Sequence, residues 1–79
     1  MRGNYTNLID ISDYLKLKNS NIKFNYISDT YLSYSIGDNQ YEITFKNNQY
    51  IIEVYIHEDD EELYATYFAN SIQKVLNYI

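Results

Sequence analysis

The sequence predicts a single small α+β domain, residues 1–79, of order α-β-β-β-α, with an antiparallel three- or four-stranded meander covered on one face by helices. Apolar residues show helical spacing near the start, alternate through the middle of the chain, and return to helical spacing over the last 20 residues. A chain of 79 residues, 46% of them hydrophobic, has apolar material for one core and no second domain.

The first helix is predicted from Asn7 to Lys18. Apolar residues recur there at intervals of three and four, which places them on one face of a helix. They are Leu8, Ile11, Tyr14, Leu15 and, as a further candidate, Leu17. Thr6 or Asn7 is expected to cap the helix start, and the turn formers at residues 19–21 are expected to end it.

From Ile22 the pattern changes to alternation, which is typical of strands with one buried face. The residues expected to face inward are Ile22, Phe24, Tyr26, Leu32, Tyr34, Ile36, Tyr41, Ile43, Phe45, Tyr50, Ile52, Val54 and Ile56. The polar group Ser28–Asp29–Thr30 is either a turn between two strands or a bulge within one long strand. Further turns are predicted at residues 37–40 (GDNQ) and 47–49 (NNQ), because asparagine tolerates the left-handed backbone of a hairpin.

The last 20 residues are predicted to form an amphipathic helix that lies across the apolar face of the sheet. Its apolar stripe would consist of Tyr64, Tyr67, Phe68, Ser71, Ile72, Val75, Leu76 and Ile79. Asp59 is expected to cap this helix, with Glu62 completing a capping-box pair three residues later.

Negative charge is concentrated in the second part of the chain. Residues 24–79 carry two lysines against nine acidic residues, whereas residues 1–23 carry four basic residues against two acidic ones. The formal net charge is −5. Such a surface repels phosphate backbones and attracts basic proteins, so we expect a basic protein partner and no direct binding of nucleic acid.

Five acidic residues form an unbroken run: Glu58, Asp59, Asp60, Glu61 and Glu62. One explanation is structural, because carboxylates in the first turn of a helix stabilise it by about 0.3–1 kcal/mol each. A helix terminus favours only one or two of them, since further carboxylates repel one another. The alternative is phosphate mimicry, in which a compact run of carboxylates approximates the charge density of duplex DNA, one charge per roughly 1.7 Å.

Four further residues are predicted to extend this partner-binding surface on the sheet face that the helices leave open. Glu42 and Glu53 would lie there if their strands pair in a hairpin, and Tyr31 and Tyr55 fall on the same face by alternation. Tyrosine suits interfaces because it offers a large contact area with little side-chain entropy to lose. An RNA-reading sheet also displays aromatic residues, but the negative charge and the lack of nearby arginines argue against that function.

No catalytic, metal or cofactor site is predicted. His57 is the only histidine and belongs to no recognisable catalytic or zinc motif, and the chain has no cysteine. The acidic run lacks the spacing of an EF-hand loop. No segment approaches the roughly 18 apolar residues of a membrane span, and no signal-peptide pattern is present, so we expect a cytoplasmic protein.

The layout resembles that of small phage-encoded inhibitors of bacterial defence nucleases, particularly the acidic anti-CRISPR proteins. The resemblance is carried by the short opening helix (Asn7 to Lys18), the meander with GDNQ and NNQ turns, and the segment HEDDEELYATYFANSIQKVL. One Cas9-blocking member is similar in having an α-β-β-β-α core and a strongly acidic surface. The resemblance implies that the protein acts in the host cytoplasm. It also implies occupation of the site where a nuclease reads target DNA.

Three functions are consistent with these features. The first is a non-catalytic inhibitor that binds a basic, nucleic-acid-binding protein through the acidic, DNA-mimicking surface. The second is a structural module that self-associates, for example as a homodimer, through the open sheet face and an unpaired edge strand. The third is an immunity or antitoxin protein that neutralises a basic toxic enzyme.

Overall fold

The protein folds as one five-stranded antiparallel sheet with a helix at each end of the chain. The computed structural model describes the backbone of residues 5–57 and 61–79, and the side chains of residues 5–56 and 65–79. The elements are α1 (Leu8–Lys18), β1 (Ile22–Ile27), β2 (Tyr31–Ile36), β3 (Asn39–Lys46), β4 (Gln49–His57), β5 (Glu61–Ala69) and α2 (Ile72–Tyr78). The strands lie in the order β1-β2-β3-β4-β5, so each pairs with its neighbour in the chain. The predicted α+β class is confirmed, with five strands instead of three or four.

The first helix begins and ends as the sequence predicts. The side-chain oxygen of Asn7 accepts hydrogen bonds from the backbone N–H groups of Ile9 and Asp10, at 2.9 and 3.3 Å, so Asn7 is the N-cap. Thr6 contributes as well, because its backbone N–H and its hydroxyl both donate to the carboxylate of Asp10. Leu17, the further candidate for the apolar stripe, is 90% exposed and does not belong to it.

Three short turns connect the first four strands. Residues 28–30 form a turn, which resolves the alternatives left open by the sequence: the hydroxyl of Ser28 accepts hydrogen bonds from the N–H groups of Thr30 and Tyr31. Gly37 adopts a φ of 63° between β2 and β3. Asn47 and Asn48, between β3 and β4, adopt φ values of 54° and 62°, the left-handed pair of a two-residue hairpin.

A β-bulge lies in β1, three residues before the turn at residues 28–30. Phe24 pairs with Tyr34, but Tyr26 pairs with Ser33, so two residues of β1 span a single step of β2. The extra residue, Asn25, moves Tyr26 to the sheet face opposite Phe24. The expectation that Tyr26 faces inward is therefore wrong, and its side chain is 56% exposed.

The predicted C-terminal helix is wrong over its first half. Residues 61–69 form β5, which pairs with β4 along its length, and only residues 72–78 are helical. The hydroxyl of Ser71 accepts a hydrogen bond from the N–H of Lys74 at 3.3 Å and caps α2. Two physical reasons favour the strand: aromatic residues and threonine fit a pleated surface, and β4 has nine residues of backbone to pair. Tyr67, expected in the apolar stripe, is 37% exposed at the sheet edge.

Both helices cover the same face of the sheet and form one core with it. The largest fully buried side chains are Tyr34, Leu8, Ile11, Leu15, Leu32, Ile43, Ile52 and Val75. Tyr5, Tyr14, Ile22, Phe24, Ile36, Tyr41, Phe45, Leu76 and Ile79 pack around this core with partial exposure. The predicted inward positions of β2, β3 and the first half of β4 are thus confirmed. The opposite face of the sheet carries no helix in the part of the chain that the structure describes.

Tyr34 is the largest side chain of the core and titrates abnormally. It is 1% exposed, and its ring stacks on that of Tyr41 with 5.0 Å between the ring centroids. Burial, with a smaller contribution from Tyr41, raises the pKa of Tyr34 far above that of a free tyrosine. A phenolate at this position would be buried without a compensating charge.

We therefore expect Tyr34 to make the fold sensitive to alkali. Because the folded-state pKa is raised, its contribution to stability is fully present below about pH 10 and decreases above it, by up to about 1.4 kcal/mol per pH unit. Urea unfolding of wild type and Tyr34→Phe from pH 8 to 11 measures this contribution. The free energy of unfolding should fall less steeply in Tyr34→Phe, whereas Tyr26→Phe, at an exposed tyrosine, should follow wild type. Equal slopes for all three proteins would contradict the prediction.

Candidate functional site

The candidate site is the sheet face opposite the helices, here called the open face. The strand register places on it Lys23, Tyr26, Tyr31, Ser33, Ser35, Gln40, Glu42, Thr44, Lys46, Ile51, Glu53, Tyr55, Thr66 and Phe68. The face is therefore polar along its centre and aromatic around it. The placement of Glu42, Glu53, Tyr31 and Tyr55 on this face is confirmed, and their role in binding stays a prediction.

Two glutamates face each other at the centre of the open face. Glu42 of β3 and Glu53 of β4 are direct cross-strand partners, which puts their Cβ atoms about 4.5–5.5 Å apart. In the described part of the chain, neither carboxylate forms an ion pair. Like charges in directly opposed positions destabilise a sheet, by about 0.2–1 kcal/mol for a typical pair. The pair therefore opposes folding, and a positively charged ligand would relieve it.

Tyr31 lies beside the glutamates and shields part of this centre. Its hydroxyl is close enough to the side chains of Ser33 and Glu42 for both to affect its pKa. Burial, followed by the charge of Glu42, raises the pKa of Tyr31, so its hydroxyl remains a proton donor at neutral pH. The side-chain amide of Gln40 donates to the Glu42 carboxylate, at 3.4 Å. Glu42 is thus held in place, whereas Glu53 has no hydrogen-bond partner within the described residues.

Exposed aromatic rings border the glutamate pair. The β1 bulge brings Tyr26 next to Tyr31, with 5.5 Å between the ring centroids, and the residue beneath them, Ser33, is only 5% exposed. On the other side, Phe68 of β5 is 58% exposed and lies opposite Ile51 of β4. Large exposed aromatic side chains next to polar groups are the composition of protein–protein contact surfaces.

The lysines near the site lie at its margins. Lys23, on the edge strand β1, and Lys46, at the end of β3, are both exposed and form no ion pair with the central glutamates within the described residues. Lys16 and Lys18 belong to the helix side of the molecule, where their amino groups lie over the rings of Phe24 and Tyr14 at 5.9 and 5.5 Å from the centroids. The centre of the open face is therefore negative.

The acidic run lies at the connection between β4 and β5. Glu58, Asp59 and Asp60 are outside the described residues, as are the side chains of Glu61 and Glu62. The backbone of Glu61 and Glu62 belongs to β5 and pairs with His57 and Ile56. The capping role predicted for Asp59 and Glu62 is wrong, because the helix that they were expected to cap begins at Ile72. The helix dipole therefore gives no structural reason for these carboxylates.

The β2–β3 turn lies at the same end of the sheet as the β4–β5 connection, because alternate strands of a meander run in the same direction. A shallow polar cavity of about 240 Å³ occurs there, lined by Ser35, Gly37, Asp38, Asn39 and Gln40. It holds one carboxylate, Asp38, and adjoins the open face at Gln40. Negative charge therefore continues from the centre of the open face towards this end.

Sequence reasoning missed three residues of the open face: Tyr26, Ser33 and Phe68. Tyr26 and Phe68 were assigned to the core by their spacing, because neither the bulge nor β5 was predicted. The sequence gives no clear signal of the bulge, because Asn25 occupies an outward position of the alternation, where a regular strand also carries a polar residue.

The described residues include neither a metal-type cluster nor a membrane-spanning helix. No cluster of three or more histidine, cysteine, aspartate or glutamate side chains suited to a metal occurs among them. No helix in this part of the structure is long and apolar enough to cross a membrane. No protein-family description, curated protein or solved structure matches the chain. Function is therefore inferred from the open face itself.

The opposed glutamates yield a stability prediction. Glu53→Gln should raise the free energy of unfolding by about 0.2–1 kcal/mol at low salt, because it removes the repulsion from Glu42. The gain should shrink as salt rises and screens the pair. Asp29→Asn removes the same charge from an exposed turn and should change stability less. Urea unfolding at 20 and 500 mM NaCl measures both variants, and a destabilised Glu53→Gln would show that the pair is not repulsive.

Proposed function

We propose that this protein is a small non-catalytic inhibitor that binds a basic, nucleic-acid-binding protein through its acidic open face. The observation that carries the proposal is the unneutralised pair of Glu42 and Glu53, bordered by exposed aromatic rings. A fold of 79 residues is only modestly stable, so carboxylates that oppose folding need another reason to be there. Contact with a positively charged surface is such a reason.

The acidic run supports a partner that ordinarily binds nucleic acid. Its five consecutive carboxylates lead into β5, whose first two residues are Glu61 and Glu62, and not into a helix, so they do not stabilise a helix terminus. Their density is comparable with that of duplex DNA, which carries one charge per roughly 1.7 Å of axis. A channel lined with lysine and arginine for DNA would attract such a surface as well. We include Glu58, Asp59, Asp60, Glu61 and Glu62 in the proposed contact on this ground.

The resemblance to anti-CRISPR proteins favours a defence nuclease as the partner. We propose a CRISPR effector, or another nuclease complex with a basic DNA channel, and the host cytoplasm as the place of action. Inhibition would then follow from occupation of the channel, without any chemical step carried out by this protein.

The test uses purified CRISPR effectors loaded with guide RNA. One of them should form a 1:1 complex with this protein and lose its DNA binding, with affinity that falls steeply as salt rises. The double variant Glu42→Gln/Glu53→Gln and the charge reversal Asp60→Lys/Glu61→Lys should each weaken the complex. Asp13→Asn/Asp29→Asn, at two exposed aspartates, changes the net charge by as much as the first double variant and is its control. A complex that withstands both double variants would contradict binding through the acidic surface.

A second candidate function, self-association, is favoured by the composition of the β5 edge. Residues 63–69 contain no charged side chain, and Phe68 and Tyr67 are 58% and 37% exposed. Uncharged, aromatic edge strands readily pair with another strand. Because each copy carries a net charge of −5, such pairing should strengthen with salt, opposite to binding of a basic partner.

Sedimentation velocity at 50 and 500 mM NaCl separates the two functions. If β5 mediates self-association, a dimer should grow with protein concentration and with salt, and Phe68→Lys should abolish it, since the lysine places a charge at the edge. Lys74→Glu, on the exposed side of α2, is the control for a charge change elsewhere. A monomer at all concentrations would exclude this function and leave the first one intact.

A further inference from the structure

We propose that the open face selects arginine over lysine, because the ring of Tyr31, in contact with that of Tyr26, lies beside Glu42, the cross-strand partner of Glu53. This inference rests on the proposed function and names the side chain of the basic partner that the face contacts. The occupant is a protein segment that presents an arginine, and the charge of the glutamate pair is complementary to it.

The register brings the four side chains together. Tyr26, Ser33, Glu42 and Glu53 occupy successive positions in one cross-strand row, and Tyr31 lies two residues from Ser33 along β2. Strands are spaced about 4.7–4.9 Å apart, so the backbone positions of Tyr26 and Glu42 are about 10 Å from each other. The ring of Tyr31 lies in this interval, since its centroid is 5.5 Å from that of Tyr26 and its residue is the diagonal cross-strand neighbour of Glu42. Aromatic and anionic groups therefore form one continuous surface.

The bulge at Asn25 is a second, independent feature of this surface. A regular β1 would turn Tyr26 towards the helices, where its ring could be buried. The bulge instead interrupts the ladder with β2 and leaves the ring 56% exposed. The bulge does not bury another apolar side chain in exchange, because the next residue, Ile27, is still 42% exposed. What the bulge achieves is the pairing of two aromatic rings on the open face, and bulges commonly re-aim a side chain in this way.

The chemistry of these groups suits a guanidinium better than an ammonium. A guanidinium is planar and weakly hydrated, so it can stack on a tyrosine ring while its N–H groups bind a carboxylate in a fork. A lysine ammonium is a compact, strongly hydrated charge that gains from the carboxylates but less from stacking. Glu53, which has no hydrogen-bond partner within the described residues, is free to accept both N–H groups.

The remaining charges around the surface restrict how a partner approaches. Lys23 and Lys46 flank the central row from the edge and from one end of the sheet, and each would repel a cation that arrives over it. Lys23 pairs with Ser35 and so lies at the β1 corner of the end with Asp38, whereas the connection between β4 and β5 lies on the other side of that end. A partner segment would therefore enter over the β4–β5 side of that end and extend its arginine towards Glu53.

The test compares two peptides of equal length and charge, one with three arginines and one with three lysines, each separated by glycine. Titration at 50 mM NaCl, followed by two-dimensional NMR, measures both affinity and location. Wild type should bind the arginine peptide about two- to fivefold more tightly, with the largest shifts at Tyr26, Tyr31 and Glu53, a modest gain of the size expected for stacking at an exposed site.

Four variants identify the source of the preference. Tyr26→Ala should bring the arginine-to-lysine affinity ratio close to one while changing lysine-peptide affinity less than twofold. Tyr26→Phe keeps the ring and should keep the ratio. Glu53→Gln should weaken both peptides. Tyr78→Ala removes a tyrosine that is 45% exposed on α2, away from the open face, and should leave both affinities unchanged.

The possible outcomes separate this inference from the proposed function. Equal affinities for the two peptides, with shifts on the open face, would overturn arginine selection and leave binding of a basic partner standing. An arginine preference that survives in Tyr26→Ala would also overturn it. Binding of neither peptide would overturn both, and shifts confined to other surfaces would place the basic partner elsewhere.

Discussion

The packing of two helices against only one face of the sheet is the constraint on which the rest of this structure depends. Leu8, Ile11 and Leu15 of α1 and Val75 of α2 bury the ring of Tyr34 and its aliphatic neighbours. In a chain of 79 residues this contact is the main source of apolar burial. Every strand must therefore present apolar side chains to that side at alternate positions, and the positions between them remain available for other purposes.

The residues at those intervening positions lower the stability of the fold. A sheet optimised for folding would place opposite charges, or threonine and small β-branched residues, across from one another on its solvated face. Here two glutamates oppose each other, a bulge interrupts the ladder and exposes a tyrosine, and a phenylalanine lies exposed on an edge strand. Each of these features is unfavourable alone. Their occurrence together on one face is the reason for proposing that this face contacts a partner.

The sequence predicts the parts of the fold in which one local rule applies. The helical spacing after Asn7, the left-handed turn at Asn47 and Asn48, and the alternation through β3 all agree with the structure. Strand β5 and the bulge in β1 were not predicted, because competing rules apply to both. The spacing of Tyr64, Tyr67 and Phe68 fits a helix. The backbone N–H and C=O groups of β4 nevertheless favour a strand there, because they need pairing partners, and this need becomes apparent only when the sheet is formed.

The candidate site was predictable to a similar degree. Alternation alone placed Tyr31, Glu42, Glu53 and Tyr55 on the open face, since a period of two survives as long as the strand is regular. It failed for Tyr26, because one extra residue inverts every side chain beyond it. The explanation of the acidic run as a helix cap failed for a related reason, since it depended on the helix that β5 replaces.

The strictly sequential order of the strands also determines how the chain acquires its shape. Every hairpin closes over a short loop, so each strand can add to its predecessor as synthesis proceeds, at little entropic cost. Proteins dominated by such nearby contacts reach their native state faster than those that must join distant segments. The sheet, and with it the open face, would therefore be complete soon after translation.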